Sequence, residues 1–432
     1  MTATSPNPAP APEQITSQQW KWSALAGMAS YLDAGSIVAL GASLAAFQDE
    51  FHLTKGAVGA LQAIGPNAIG CAIGAFIGGY LGDKLGRKRI YQYDLLVYAA
   101  GILCVACAVN ATMLFVGTFI VGVSVGADVP TSLALVGEFA PAKARGKLLG
   151  FTQIAWCLGP SVVLWLAMAL APFGLTGNRI LFFHLLVVAL ITWAMRRGLA
   201  ESARWKAAAA TAKDQVKALM SPANVRAMVW TGTIYLFWNL TAGTNGAFGS
   251  YFNRVLLGSG EVSATKAQAV GTGLASLSFL CTMIGTAFIF MPLSDRDFRT
   301  RKWLWGVGSI VQILAWGMLM VVPYTVPTVF ANTIMYGLGS ALAGEAFYKV
   351  FSQELFPTMH RGTAQGITFG VARLLLGIWS FIAPTLIDEA NPNFHALALM
   401  LTLFLVVSGT VGFFFMPDTS GKSLEQIEAE RA

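Results

Sequence analysis

The sequence predicts an all-α membrane protein with twelve transmembrane helices arranged in two six-helix bundles. The first observation is composition, because 55% of the 432 residues are hydrophobic and only 11% are charged. The second is a series of twelve apolar stretches of about 20 residues, the length of helix that crosses a bilayer. The third is a charged motif that begins at Glu138 and recurs at Glu354, 216 positions later and half the chain length away. Such a duplication is typical of a transporter built from two parallel repeats.

The composition also excludes several classes of protein. Soluble domains carry roughly 25% charged residues, and a chain with a mean hydropathy of +0.62 has too much apolar surface for one soluble core. The net charge of +7 would suggest a nucleic-acid partner only if the cations clustered on one face. They fall in short gaps between apolar stretches, and we expect no nucleic-acid partner. All five cysteines lie within apolar stretches, and we expect neither a metal nor a redox site.

The twelve apolar stretches define twelve predicted spans, numbered here in chain order. They cover residues 22–47, 57–82, 91–110, 113–137, 147–172, 180–197, 227–252, 267–293, 303–322, 327–353, 363–387 and 395–416. Spans 1 to 6 and spans 7 to 12 form the two predicted bundles, residues 20–198 and 226–417. A disordered tail over 1–19, a linker over 199–225 and a second tail over 418–432 complete the chain. Within the linker, residues 205–219 could form a short amphipathic helix at the membrane surface.

The distribution of cations predicts the orientation of the chain. Of its 28 Lys and Arg residues, 22 lie in the two tails and in the loops that follow spans 2, 4, 6, 8 and 10. Only four, Lys55, Arg179, Arg254 and Lys266, lie in the opposite loops. Cytoplasmic loops carry the excess of Lys and Arg, and both tails are therefore predicted to be cytoplasmic.

The duplicated motif reads Glu-x-x-Pro-x-x-x-Arg-Gly and places charges at the cytoplasmic ends of spans 4 and 10. A second motif, residues 79–89, ends span 2 with a glycine turn, Asp83 and several cations. This second motif resembles the signature loop of the major facilitator superfamily. A weaker copy, beginning at Asp295, follows span 8. Asp83 is expected to pair with a neighbouring helix end and to lock one conformation.

Within that superfamily the chain is similar to the sugar porter family. The similarity rests on the duplicated motif, on Glu201-Ser-Ala-Arg204-Trp205, on residues 417–428 and on Gln153. It implies a set of charged residues, called here the cytoplasmic latch, that pair in one conformation and separate in the other. Its members are Asp83, Arg87, Glu138, Arg145, Glu201, Arg204, Glu354 and Arg361. Exposed ion pairs are individually weak, about 0–1 kcal/mol, which would make the latch reversible.

The same resemblance implies a substrate site at mid-membrane. Sugar porters hold the sugar with amide side chains of spans 5 and 7, which donate and accept hydrogen bonds at once. Gln153, Asn239 and Asn245 stand at or near those positions. Tyr348 of span 10 completes the predicted binding residues, and aromatic side chains such as Tyr235 could form a wall beside them. Packing against a neighbouring helix is the alternative role for each of these side chains.

Three charged residues depart from the sugar porter pattern and could also bind substrate. Lys349 replaces the span 10 tryptophan that stacks on the sugar, Glu345 lies one helical turn before it, and Arg373 lies in span 11. Glu345 and Lys349 could neutralise each other. Arg373 has no partner nearby in the sequence, and needs an anion from Asp33, Asp128, Glu345 or the substrate.

Two carboxylates within the spans are candidates for proton coupling. Asp33 in span 1 occupies the position at which proton-coupled sugar porters keep a titrating carboxylate. Asp128 in span 4 lies in Gly-Ala-Asp-Val-Pro, a pattern similar to that of phosphate–proton symporters. Intramembrane carboxylates are costly and mark functional sites. His184 in span 6 is expected to be a packing residue rather than a proton relay.

We therefore expect a proton-coupled secondary transporter, not an enzyme, working by alternating access as a monomer in a bacterial inner membrane. Its substrate would be a sugar or polyol, bound by the amides; the alternative is a small organic anion bound by Lys349 and Arg373. A solute sensor of the same fold is a further alternative. No nucleotide-binding motif of the G-x-x-x-x-G-K-[ST] type is present, and we expect no cofactor beyond the proton gradient.

Overall fold

A computed structural model of the chain describes residues 14–198, 201–211, 219–258, 264–386 and 394–431. Every regular element in these ranges is helical. Eight described helical stretches are long and apolar enough to cross a membrane, and one of them, Arg145–Arg196, contains both span 5 and span 6. Spans 3, 7 and 10 do not meet that criterion. Span 3 falls short because it begins with three cations, Arg87-Lys88-Arg89, and span 10 because its helix is interrupted.

The helices of the N-terminal half follow the predicted order. Span 1 is Ser17–Phe51, span 2 comprises Lys55–Ile64 and Ile69–Leu85, span 3 is Arg87–Ala106, span 4 is Ala111–Phe139, span 5 is Arg145–Leu170 and span 6 is Gly174–Arg196. A short helix, Ala203–Thr211, lies in the linker, where the sequence predicts an amphipathic helix over 205–219. Residues 212–218 of that prediction lie outside the described part of the chain.

The helices of the C-terminal half mirror this order. Span 7 is Pro222–Gly258, span 8 is Ala264–Gly285 with a π turn and a last turn to Leu293, span 9 is Phe298–Gly317 and span 10 comprises Val326–Leu342 and Glu345–Glu354. Span 11 is Arg361–Ile382, span 12 is His395–Phe414, and the helix Leu424–Arg431 lies in the C-terminal tail.

Several helices begin or end beyond the predicted apolar stretches. Span 1 starts at Ser17, inside the predicted tail 1–19, because Thr16 caps its N-terminus in a capping box with Gln19. Spans 5 and 11 begin at the arginines of the duplicated motif, Arg145 and Arg361. Hydropathy excludes such charged first turns, and it therefore places the ends of these helices a few residues too far inside the membrane.

Spans 2 and 10 are broken, whereas the sequence analysis treats each as one helix. Span 2 is interrupted between Ile64 and Ile69, where Pro66 lacks the amide hydrogen that a continuous helix requires. Span 10 is interrupted at Ala343 and Gly344. Discontinuous helices are common at transporter binding sites, because their free backbone groups and side chains can face a ligand.

Spans 2 and 4 cross in direct backbone contact. A Cβ atom on Gly74 would lie 2.0 Å from the carbonyl oxygen of Val123, and one on Gly126 would lie 2.0 Å from that of Cys71. No side chain fits at such distances, so both crossings require glycine. The contact fixes the position of Asp128, which lies two residues after Gly126 in span 4.

Candidate functional site

A cavity lies between the two bundles and is called here the central cavity. Asn67, Trp156 and Pro160 line it from the N-terminal bundle, and Trp238, Asn239 and Arg373 line it from the C-terminal bundle. Its accessible volume is about 20 Å³, room for about one water molecule, so the cavity is nearly closed in this conformation. The mixture of aromatic and polar walls is typical of ligand pockets.

Asp33 lies beside this cavity, buried in span 1 with 2% of its surface exposed. Its Oδ2 accepts a hydrogen bond of 3.1 Å from Nε1 of the cavity residue Trp156. Its Oδ1 is buried and has no hydrogen-bond partner. A carboxylate with one such oxygen can take up a proton without losing an existing bond, which suits a coupling group.

Arg373 reaches across the cavity from span 11 to the break in span 2. Its NH1 donates to the side-chain Oδ1 of Asn67 at 3.1 Å and to the backbone oxygen of the same residue at 3.3 Å. The guanidinium also lies 4.8 Å from the ring centre of Phe369. The sequence analysis expects an anion here, but the hydrogen-bond partner is an amide.

Lys349 and Glu345 face each other at the start of the second half of span 10. Lys349 Nζ lies 3.8 Å from Glu345 Oε1, beyond hydrogen-bonding distance. The ammonium makes no hydrogen bond, and neither does Glu345 Oε2. Both side chains are almost fully buried. The pair is therefore close enough for mutual neutralisation but loosely held.

The four charged groups around the central cavity form one electrostatic cluster. Asp33 interacts electrostatically with Arg373, Glu345 and Lys349. Two carboxylates and two cations sum to no net formal charge. A buried charge is tolerated only when it is compensated, and this cluster compensates itself without a charged ligand.

An aromatic stack lies next to the cavity within the C-terminal bundle. The rings of Tyr235 and Tyr348 are stacked with centres 4.0 Å apart, and Tyr235 also stacks on Phe369 at 5.4 Å. The hydroxyl of Tyr348 shares a 2.9 Å hydrogen bond with Thr368. Tyr348 is thus engaged inside the bundle, whereas the hydroxyl of Tyr235 is buried and has no hydrogen-bond partner.

The three predicted amides do not all meet at the central cavity. Asn239 lines it, and its buried side-chain Nδ2 has no hydrogen-bond partner. Gln153 is buried in span 5, with Nε2 3.9 Å from Cys157 Sγ and Oε1 without a partner. Asn245 lines a different cavity, within the C-terminal bundle. The predicted association of Asn245 with the central cavity is therefore not found.

Asp128 lies away from the central cavity, in a buried ion cluster of the N-terminal bundle. Arg196 NH1 is 3.0 Å from Asp128 Oδ1 and 3.4 Å from Asp94 Oδ1. The guanidinium also stacks 3.5 Å from the ring centre of Tyr91. Asp128 therefore pairs with Arg196. The sequence analysis names Asp128 as a possible partner of Arg373, and this pair does not form.

The duplicated motifs meet across the two bundles on the predicted cytoplasmic side. Arg361 NH1 lies 3.3 Å from Glu138 Oε1, and Arg145 NH1 lies 3.0 Å from Glu354 Oε1. Each arginine therefore pairs with the glutamate of the other copy. The side chains of these four residues are at most 1% exposed. The expectation of weak exposed pairs is wrong, because the bundle interface covers them.

Two aspartates cap helices across the same interface. Asp83 accepts hydrogen bonds from the backbone N–H groups of Gly362 and Thr363, at 3.1 and 2.6 Å. Asp295 accepts from those of Gly146 and Lys147, both at 2.8 Å. Each carboxylate lies at the positive N-terminal end of a helix in the opposite bundle. Burial raises the pKa of Asp295 above its ordinary value, against the lowering effect of Arg301.

The remaining latch residues connect these caps to the linker and the C-terminal tail. Arg87 NH2 lies 2.9 Å from Asp83 and 3.1 Å from Glu138. Glu201 accepts from the backbone N–H of Lys88 at 3.0 Å. Arg204 donates to the backbone oxygen of Glu138 at 2.7 Å and pairs with Glu425 at 3.0 Å. The structure thus brings all eight predicted latch residues to one side of the molecule.

The sequence analysis does not identify several residues that hold the latch or the charged groups of the central cavity. Arg301 binds Glu354 at 2.8 Å, and Asn67 and Trp156 hold Arg373 and Asp33. An arginine early in a span, like Arg301, is a recognisable signal. An asparagine after a helix-breaking proline, like Asn67, is another. Nothing in the sequence distinguishes Trp156 from a packing tryptophan.

Comparison with known proteins shows the family of this chain. The model of the family described as "Sugar (and other) transporter" matches residues 26–221 and 206–430. The chain is 37% identical to the minor myo-inositol transporter IolF of Bacillus subtilis, over 94% of this chain and 92% of that protein. It is 25% identical to the cis,cis-muconate transport protein of Acinetobacter baylyi, over 84% of this chain and 86% of that protein.

A solved structure supports the same fold. The proton:xylose symporter XylE bound to 6-bromo-6-deoxy-D-glucose, a protein of the major facilitator superfamily, superposes with a TM-score of 0.78. The match covers 96% of this chain and 99% of that structure at 17% identity. The twelve-helix prediction is thereby confirmed.

Proposed function

This chain belongs to the sugar (and other) transporter family, and from that premise we propose that it carries a neutral sugar or polyol across the membrane by proton-coupled symport. It is an integral membrane transporter of the major facilitator superfamily and not an enzyme. The first substrate to test is myo-inositol, because the relative with 37% identity is named as a myo-inositol transporter.

The observation that carries the proposal is the balance of charge around the central cavity. Asp33, Glu345, Lys349 and Arg373 together carry no net formal charge, so a neutral solute leaves the charge balance of this buried cluster unchanged. Asn239 offers an unused amide nitrogen, and Trp238 provides an aromatic surface. Amides suit hydroxyl groups because they both donate and accept hydrogen bonds.

Asp33 is the proposed proton carrier. Its unpartnered Oδ1 can be protonated, and its Oδ2 is bonded to Trp156, a residue of the cavity wall. Protonation of Asp33 would leave the cluster with one excess positive charge, and movement of Arg373 or Lys349 would follow. Proton binding and substrate binding are thereby linked at one place.

Alternating access would proceed by separation of the cytoplasmic latch. The two arginine–glutamate pairs and the two aspartate caps all join one bundle to the other. Their rupture would open the cytoplasmic side while the outer ends of the bundles approach each other. We propose a monomer in a bacterial inner membrane with both termini cytoplasmic, the orientation that the excess of Lys and Arg supports.

A small organic anion is the second candidate substrate. Two buried cations, Lys349 and Arg373, lie near the cavity, and Lys349 makes no hydrogen bond. If Glu345 moved away, the ammonium could meet a carboxylate. The relative named as a cis,cis-muconate transport protein makes a dicarboxylate a suitable probe of this reading.

The test is uptake into proteoliposomes containing the purified protein. Labelled myo-inositol should accumulate when the exterior is more acidic than the interior, and a protonophore should abolish the accumulation. Unlabelled muconate should not compete. Failure of labelled myo-inositol to enter, together with accumulation of labelled muconate in the same proteoliposomes, would replace the neutral substrate by the anion.

A further inference from the structure

Two buried aspartates of the N-terminal bundle share a single cation and are not used in the proposed transport mechanism. Asp94 lies in span 3, Asp128 in span 4 and Arg196 at the end of span 6; together they are called here the aspartate cluster. The exposed fractions of the three residues are 6%, 6% and 1%. One nitrogen, Arg196 NH1, makes both contacts, at 3.0 Å to Asp128 Oδ1 and 3.4 Å to Asp94 Oδ1.

The charges of the aspartate cluster do not balance if both carboxyl groups are ionised. Two carboxylates and one guanidinium sum to one excess negative charge, and no second cation among the described residues forms an ion pair with either aspartate. The other titratable group beside the cluster is the phenol of Tyr91, which stacks on the guanidinium and is neutral at neutral pH. An uncompensated buried charge is strongly unfavourable, and one bound proton would remove it.

The two carboxyl groups are placed to hold that proton between them. Asp94 and Asp128 lie within hydrogen-bonding distance of each other. An ionised carboxylate has only acceptors, so a hydrogen bond between two carboxyl groups requires one of them to be protonated. Asp94 Oδ1 already accepts from the backbone N–H of Leu95 at 2.6 Å and from Arg196. Asp94 Oδ2 is buried and receives no hydrogen bond, which makes it the atom that can carry the proton.

We propose that Asp94 and Asp128 bind one proton between them, with the acid form of Asp94 donating a hydrogen bond from Oδ2 to Asp128. Asp128 then keeps its negative charge for Arg196, which approaches it more closely than it approaches Asp94. A metal cation is disfavoured at this site, because the guanidinium already contacts both carboxyl groups. The bound proton leaves the aspartate cluster without net charge.

The contacts of the aspartate cluster all lie within one bundle. Arg196 also donates to the backbone oxygens of Tyr91 in span 3 and Leu25 in span 1, at 2.8 and 3.3 Å. The cluster therefore joins spans 1, 3, 4 and 6. A rigid-body movement of one bundle against the other leaves these contacts unchanged. The shared proton therefore remains bound throughout such a movement and stabilises the bundle, in contrast to the proton proposed for Asp33.

The test is infrared spectroscopy of the purified full-length protein at neutral pH. A protonated carboxyl group gives a C=O stretching band that is distinct from the carboxylate bands and shifts in D2O. Asp94→Asn should remove one such band, because the new amide donates to Asp128 in place of the acid. Asp128→Asn should remove the same band, because Asp94 is then free to ionise beside Arg196. The double variant should lose no more than either single variant, since only one proton is shared.

A matched control changes a buried carboxyl group that has more than one cation. Glu354 is paired with both Arg145 and Arg301, so it is ionised and Glu354→Gln should remove no acid band. Spectra in which neither aspartate variant loses an acid band would overturn the proposal. So would two single variants that lose different bands, because each aspartate would then carry its own proton. If Asp94→Asn does not fold, the comparison of wild type with Asp128→Asn decides between one shared proton and none.

The stability of the protein gives a second, independent measurement. The shared proton is bound in the folded protein and is released as the pH rises, so its contribution to Tm is present at neutral pH and lost at alkaline pH. Asp94→Asn should have a Tm close to that of wild type at neutral pH and a smaller decrease of Tm at alkaline pH. A marked increase of Tm in Asp94→Asn at neutral pH would contradict the proposal, because it would mean that the substitution relieved repulsion between two ionised carboxylates.

Discussion

Arg145 NH1 of the first motif copy lies 3.0 Å from Glu354 Oε1 of the second copy, so the two copies of the motif form an ion pair across the bundle interface. The reciprocal pair joins Arg361 to Glu138 at 3.3 Å. Each glutamate also has a partner within its own half: Arg301 lies 2.8 Å from Glu354, and Arg87 lies 3.1 Å from Glu138. Removing the cross-bundle arginine therefore leaves no carboxylate unpaired.

This arrangement predicts a defect in transport rather than in folding. We expect Arg145→Ala to lower the transport rate by about tenfold or more, equivalent to about 1.4 kcal/mol. The dissociation constant for substrate should change far less, because the residue is remote from the central cavity. Arg145→Lys, which keeps the charge, is the control and should retain more transport. Parallel loss of binding and transport would show that Arg145 supports the site itself.

Asp33→Asn should uncouple transport from protons. The substitution keeps an acceptor for Trp156 but removes the titrating group. Uphill accumulation under a pH gradient should disappear, while exchange of labelled for unlabelled substrate continues, because exchange requires no net change in protonation. Accumulation that survives in the Asn variant would assign the proton to another group.

Lys349→Gln tests the charge of the substrate. A neutral polyol would lose one hydrogen bond, about 0.5–1.5 kcal/mol, and binding should weaken by less than about tenfold. An anion would lose its counter-charge and several kcal/mol. The double variant Lys349→Gln/Glu345→Gln restores neutrality and should recover polyol binding. A loss beyond about a hundredfold, equivalent to about 2.7 kcal/mol, would favour the anion.

Arg196→Met should destabilise the N-terminal bundle. It would leave Asp94 and Asp128 buried without their shared cation, which costs about 3–5 kcal/mol for a buried pair. Thermal unfolding in detergent should report a clear decrease in Tm. Asp128→Asn is the milder comparison, because Arg196 keeps Asp94 and the backbone oxygen of Tyr91. If Arg196→Met and Asp128→Asn lowered Tm equally, Arg196 would not be the shared counter-charge of Asp94 and Asp128.

Gly126→Ala should separate spans 2 and 4 and impair folding. The new methyl group would lie 2.0 Å from the carbonyl oxygen of Cys71, a backbone atom that cannot rotate away. Expression and Tm should both fall. Gly273→Ala adds the same group where nothing lies within 4 Å, and it should be neutral or slightly stabilising. Similar Tm values for the two variants would contradict the close crossing.

The sequence predicts the twelve spans because lipid imposes a length and a composition that each span must satisfy. The breaks in spans 2 and 10 are not predicted in this way, since the length and composition of a span do not show where its helix is interrupted. The latch could be predicted as a set of charged residues at the cytoplasmic ends. Its cross-pairing could not, because spacing along the chain does not show which copy's arginine meets which glutamate.

In the candidate site, too, some residues could be predicted from the sequence and others could not. The pair Glu345–Lys349 could be identified from helical spacing and polar character within the membrane, and Asn239 from the resemblance to the sugar porter family. Asn245 could not be assigned to its cavity, because adjacent residues of span 7 line two different cavities and a single sequence does not separate them. The partners of Arg373 and Asp128, namely Asn67 and Arg196, depend on packing between distant helices.

The second half of span 10 is a continuous helix that begins at Glu345, in the charged cluster, and ends at the latch residue Glu354. Glu345–Glu354 is a ten-residue helix in which every residue is buried. At about 1.5 Å per residue it is roughly 15 Å long. Glu345 forms one end, Lys349 lies near the middle, and Glu354, bound by Arg145 and Arg301, forms the other end. Gly344 separates this helix from the first half of span 10, so in the proposed alternating-access cycle a shift of Glu345 would also move Glu354 and its contacts with Arg145 and Arg301.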